Sequence, residues 1–136
     1  MRYIPLDLPV GIRSSQSGLT ALNLTSRSFT ADFFVPDDQR LLLRVEFPRF
    51  ETFRVLDEMP LSTEGEEIDW EGHVPDHLAY ELVGGYFWRM QSEAFRMTHP
   101  DIRHYEFVTG DLCLDVLTDF PPLFSVISRH QTSTCP

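Results

Sequence analysis

Apolar and polar positions alternate with a period of two along most of this chain. Leu6-Asp7-Leu8 and Leu22-Asn23-Leu24 are short alternating runs, Phe29 to Val35 is aromatic and β-branched, and Leu41 to Phe47 turns Arg44 and Glu46 toward water. Pro36-Asp37-Asp38-Gln39 separates the last two with a proline and acidic turn-formers, which predicts an antiparallel hairpin of Phe29–Val35 with Arg40–Phe47. Phe53 to Leu56 reads as a further strand, and Leu78, Tyr80 and Leu82 as another, which Gly84-Gly85 breaks. From Tyr86 to Met97 the period becomes helical, with Phe87, Met90 and Ala94 on one face, until His99-Pro100-Asp101 stops it. Tyr105, Phe107 and Thr109 then alternate, Gly110-Asp111 turns the chain, Leu112, Leu114 and Val116 alternate against Asp115, and Leu123 to Ile127 forms a last strand. The pattern predicts an α+β fold: a single domain over 1–136, built as a curved, mainly antiparallel β-sheet packed with one main α-helix.

Two segments lack such periodicity. Residues 58–75 are mainly polar, show no apolar periodicity beyond Ile68 and Trp70, and read as an exposed acidic loop, and residues 130–136 read as a frayed tail without an apolar anchor. A length of 136 residues suits one self-supporting domain, and 42% apolar residues with eleven phenylalanines exclude a disordered polyanion.

Charge narrows the function classes. The net charge is −10, and all eleven basic residues are arginine. Without lysine the chain offers no P-loop or kinase-type phosphate lysine and no Schiff base to pyridoxal phosphate. Residues 1–56 carry seven arginines and six acids, whereas residues 57–136 carry four arginines and fifteen acids. That balance disfavours nucleic acid and anionic membranes as partners. Cys113 and Cys135 lie 22 apart and belong to no C-x-x-C pair, so neither a disulfide framework nor a structural zinc is expected. The first residues lack the apolar core of a signal peptide, and the reading is a cytoplasmic protein needing no cofactor or metal.

Among residues with chemical potential, His73 and His77 are four apart, but Pro75 lies between them and no H-E-x-x-H pattern is present, which favours loop histidines over metal ligands. His99 and His104 with Asp101, Asp111 or Asp115 are the acid–base alternative, beside the plainer reading of a helix stop followed by a strand. Cys113 reads as an inert strand thiol and Phe87 as core. From Asp57 to Glu81 nine acids occur without one arginine. There Glu64, Glu66, Glu67, Asp69, Glu71 and Asp76 surround Trp70. A solvated charged face is the bland account. The functional account is a contact surface for a basic, concave protein partner, in which carboxylates speed association and the tryptophan anchors it.

The segment Ile102-Arg103-His104-Tyr105-Glu106-Phe107-Val108-Thr109, followed by Asp111-Leu112-Cys113-Leu114-Asp115-Val116-Leu117, resembles the "HY-x-F … D-x-x-x-D-V" hairpin of small bacterial immunity proteins. The resemblance covers residues 100–120 and carries over no binding residue. It implies a small acidic protein without catalytic residues that neutralises a cytosol-acting toxin by occluding its active site. Two alternatives stay open: an acidic DNA mimic that inhibits a defence or restriction nuclease, and a small enzyme using a His/Asp pair.

Overall fold

The alternating segments pair into two antiparallel sheets rather than one. The computed structural model describes residues 1–64 and 69–129. Its five-stranded sheet has the order β1 (Arg2–Pro5), β6 (Ala79–Val83), β7 (Arg103–Phe107), β8 (Leu112–Thr118), β5 (Thr52–Asp57). The four-stranded sheet has the order β2 (Leu19–Thr25), β3 (Ser28–Phe34), β4 (Leu41–Phe47), β9 (Leu123–Ser128). The hairpin of β3 and β4 forms in the expected place, with Phe29 opposite Phe47 and Phe34 opposite Leu42. Leu6 and Leu8 form no strand; they follow β1 as an irregular segment packed against the core.

Side chains on alternate positions explain why two sheets form. Phe29, Ala31 and Phe33 of β3 and Leu43, Val45 and Phe47 of β4 point one way, and Tyr105, Phe107, Leu114 and Val116 of β7 and β8 point back at them. Phe33 stacks on Phe107 with centroids 5.4 Å apart, and Phe47 meets the same ring edge-on at 5.9 Å. The apolar face of each sheet is thus covered by the other, and no long helix is required.

Among the described residues three short α-helices form where one was expected, two of them in the segment predicted to be helical. Tyr86–Met97 divides into α2 (Tyr86–Arg89) and α3 (Glu93–Thr98), because the Ser92 side chain accepts from Phe95 N at 3.0 Å and starts a second helix. Of the expected apolar face only Phe87 is buried; Met90 and Ala94 are exposed. The expected 58–75 loop begins as helix α1 (Glu58–Thr63), capped by the Asp57 carboxylate accepting from Met59 N at 3.0 Å. Residues 65–68 and the 130–136 tail lie outside the described residues. No helix among the described residues is long and apolar enough to cross a membrane.

Phe107 is fully buried between the sheets, whereas Leu24 is 58% exposed. Phe107→Ala is expected to cost about 3–5 kcal/mol in urea unfolding, and Leu24→Ala less than about 0.5 kcal/mol.

Candidate functional site

The face of the five-stranded sheet that looks away from the core is partly polar. Strand pairing sets Tyr80 opposite Glu106, Glu106 opposite Asp115 and Asp115 opposite Arg54, with Leu82 opposite His104. Directly paired residues share a face, so His104, Glu106, Asp115 and Arg54 stand together. α1 and α2 lie over them: Phe87 of α2 sits 5.9 Å from the His104 ring and 4.8 Å from the Arg54 guanidinium carbon. His104, Glu106 and Asp115 are consequently buried, Asp115 completely.

Asp115 is the hub of this layer. His104 Nε2 donates to Oδ1 at 2.6 Å, Arg54 Nε donates to Oδ2 at 2.8 Å, and the Glu106 carboxyl also hydrogen-bonds to it. Two carboxyls hydrogen-bond each other only when one is protonated. Burial and the neighbouring Asp115 charge push Glu106 well up, so Glu106 keeps the proton. Burial opposes ionisation of Asp115 as well, but its bonds from His104 and Glu106 and the Arg54 charge outweigh it and hold that carboxyl below its ordinary value. The remaining Arg54 nitrogens both go to Glu64, NH1 to Oε2 at 2.7 Å, which ties the end of α1 to the sheet. His104 Nδ1 has no hydrogen-bond partner among the described residues, and a Cβ on Gly85 would stand 2.5 Å from it, so only glycine fits beneath the ring.

Beside this layer opens a recess of about 420 Å³. Tyr3, Trp70, His73 and Tyr86 line it together with Glu58, Glu64 and Glu106. The planes of Tyr3, Trp70 and His73 meet pairwise at 81°, 84° and 77°, as three sides of a corner. Backbone pairing holds them there. Tyr3 N donates to Glu71 O at 2.8 Å, and Glu71 N to Met1 O at 3.1 Å. Gly72, at φ +82°, lets the chain pass so near β1 that a Cβ would lie 2.2 Å from Tyr3 O. Tyr80 OH donates to Val74 O at 2.7 Å and closes the turn behind His73. Burial and His77 hold His73 below its ordinary value, so it enters the recess as a neutral ring.

Of the residues singled out from the sequence, Glu64 and Trp70 come together in the recess, and Trp70 remains 55% exposed. Asp69 and Glu71 flank it, exposed and without an ion pair among the described residues. Glu66 and Glu67 lie outside the described residues. Asp76 does other work: its carboxylate accepts from Ser15 N at 2.8 Å and Ser14 Oγ at 3.3 Å, and it does not line the recess. His77 Nε2 donates to Leu6 O at 2.9 Å, apart from His73. Cys113 is a buried free thiol pushed up to about 11 by burial.

Sequence reading missed Glu106 and Arg54, whereas it named Asp115 among the possible partners of His104, and the two meet at 2.6 Å. The signal was present as charges spaced two apart, His104 with Glu106, in register with Asp115 across the hairpin. His104, Glu106 and Asp115 bring one ligand atom each to within 4.8 Å of one another and could hold a cation. Both Asp115 oxygens already accept hydrogen bonds, however, and Arg54 supplies the local positive charge. A scan of protein-family models, a search of curated proteins and a search of solved structures each found no match.

Arg54→Met would leave Asp115 and Glu64 without their cation, and a loss of about 3–5 kcal/mol is expected in chemical unfolding. Glu106 imposes a pH dependence with a definite sign. Its folded-state value is raised, so its contribution is full below the ordinary 4.5 and is lost as pH rises toward the folded value. Asp115 is lowered, so its contribution is kept above the ordinary 3.8 and lost as pH falls through the folded value. Urea unfolding across a pH series should therefore show the native protein losing stability above 4.5 relative to Glu106→Gln, which mimics the protonated form. Parallel profiles would contradict a raised Glu106.

Proposed function

We propose that this chain is an acidic, non-catalytic binding protein, and that it serves as an immunity protein, neutralising a cytosol-acting bacterial toxin by covering its active site. One observation carries the reading: half-buried Glu58 and exposed Asp69 and Glu71, without ion pairs among the described residues, surround a half-exposed Trp70 held by backbone pairing. An unpaired carboxylate array attracts a basic partner at long range, and a positioned aromatic ring supplies area to bury on contact. The net charge of −10 and the resemblance of the 100–120 hairpin to immunity proteins point the same way. A cytoplasmic site of action and a protein partner, rather than nucleic acid or a membrane, belong to this reading.

The 2.6 Å His104–Asp115 contact favours a second reading, an acid–base enzyme. Its atoms are poorly placed for that role. Nε2 is taken by Asp115, Nδ1 faces Gly85, and His104 is 2% exposed and does not line the recess. The pair fits a structural role better.

Capture of partners from host lysate on the tagged protein, at low and moderate salt, tests the proposal. A stoichiometric toxin-like protein released by salt is expected, and reversing Glu66, Glu67 and Asp69 should slow association roughly tenfold and flatten its salt dependence. Unchanged kinetics would remove this face from the interface. A restriction or defence nuclease on the resin would favour DNA mimicry instead.

A further inference from the structure

We infer that the recess beside Trp70 is a socket for one arginine side chain of the basic partner, with Tyr3, Trp70 and His73 as walls and Glu106 as the buried acid at its floor. The inference rests on the acidic-binding reading and adds the chemistry of its central contact.

Every described residue lining the recess is acidic, aromatic or uncharged apart from Met1 N, which already donates to Asp69 O at 2.8 Å. Arg54 does not reach it, because its guanidinium is turned into Asp115 and Glu64 behind the wall. Three rings with nearly perpendicular planes offer aromatic surface from several directions, which suits a weakly hydrated cation. Glu106 is 95% buried, its carboxyl bonds only to another acid, and no cation among the described residues pairs with it. That leaves a protonated carboxyl at the floor, which an entering cation would favour in its ionised form.

The geometry selects guanidinium over ammonium. A guanidinium is flat, stacks on rings and donates in a fork, whereas an ammonium is a strongly hydrated point charge. The fold already houses one guanidinium in this way: Arg54 lies between two carboxylates with its central carbon 4.8 Å from the Phe87 ring and 5.9 Å from that of Tyr86. The recess repeats this combination of rings and acids without a guanidinium of its own.

The chain has two tryptophans, so their indole N–H signals in a 1H–15N spectrum provide a probe and an internal control. Titration with N-acetyl-arginine amide should shift the Trp70 signal and leave Trp88 in place. N-acetyl-citrulline amide, its neutral isostere, should shift neither. Trp88 still reports folding in Trp70→Ala, in which arginine-amide binding followed by calorimetry should vanish. Glu106→Gln, which keeps the shape of the protonated carboxyl but cannot ionise when the cation enters, should weaken that binding about fivefold or more. The arginine probe should also release a captured partner from the resin, and the citrulline probe should not. Equal responses to the two probes, or no Trp70 shift at millimolar arginine amide, would overturn the socket. If a salt-released partner were captured alongside such a result, the socket would fall and the acidic interface would stand.

Discussion

The outer layer of this protein depends on one buried carboxylate. Asp115 accepts from the His104 imidazole, the Arg54 guanidinium and the Glu106 carboxyl, and through Arg54 it reaches Glu64 at the end of α1. A completely buried carboxylate is tolerated only when its lone pairs are met and its charge is balanced. That requirement dictates where the helix lies, why Phe87 packs over the guanidinium, and why glycine stands under His104. Each hydrogen bond to such a charge contributes on the order of 1.5–3 kcal/mol, so the network acts as one unit.

The two faces of the five-stranded sheet divide the labour. The inner face closes an aromatic core against the second sheet and gives rigidity. The outer face uses charge to hold short helices and a turn, none of which would be stable alone. Their placement leaves a recess whose floor is acidic and whose walls are rings, with Glu58, Asp69 and Glu71 near it and without ion pairs among the described residues. In our proposal the same chemistry that folds the layer, acids and rings around a guanidinium, is turned outward to recognise a partner.

Much of the strand content was legible because period-two alternation with turn residues is a strong local signal. The β3–β4 hairpin, β7, β8 and β9 fall where alternation puts them. Whether a second sheet or a helix covers an apolar face is a tertiary choice that alternation does not encode, and the Tyr86–Met97 pattern hid a new N-cap at Ser92. The acid-rich segment around Trp70 was visible as composition. Its recess was not, because Tyr3 comes from the far edge strand and Glu106 from the hairpin, both distant in sequence from Trp70. Asp115 was one of three acids offered as partners for the histidines, and only the cross-strand register singles it out, because sequence proximity does not say which carboxylate faces His104. Asp76 shows the converse, an acid counted with the surface that is committed to holding the Ser14–Ser15 turn.

Hydrogen–deuterium exchange of the chain, free and bound to its captured partner, tests the central claim most directly. The account predicts new protection in the segment around Tyr3, in 58–64 and in 69–74, with little change on β2, β3, β4 and β9. Protection confined to the outer side of that second sheet, with the Trp70 region exchanging as before, would contradict it.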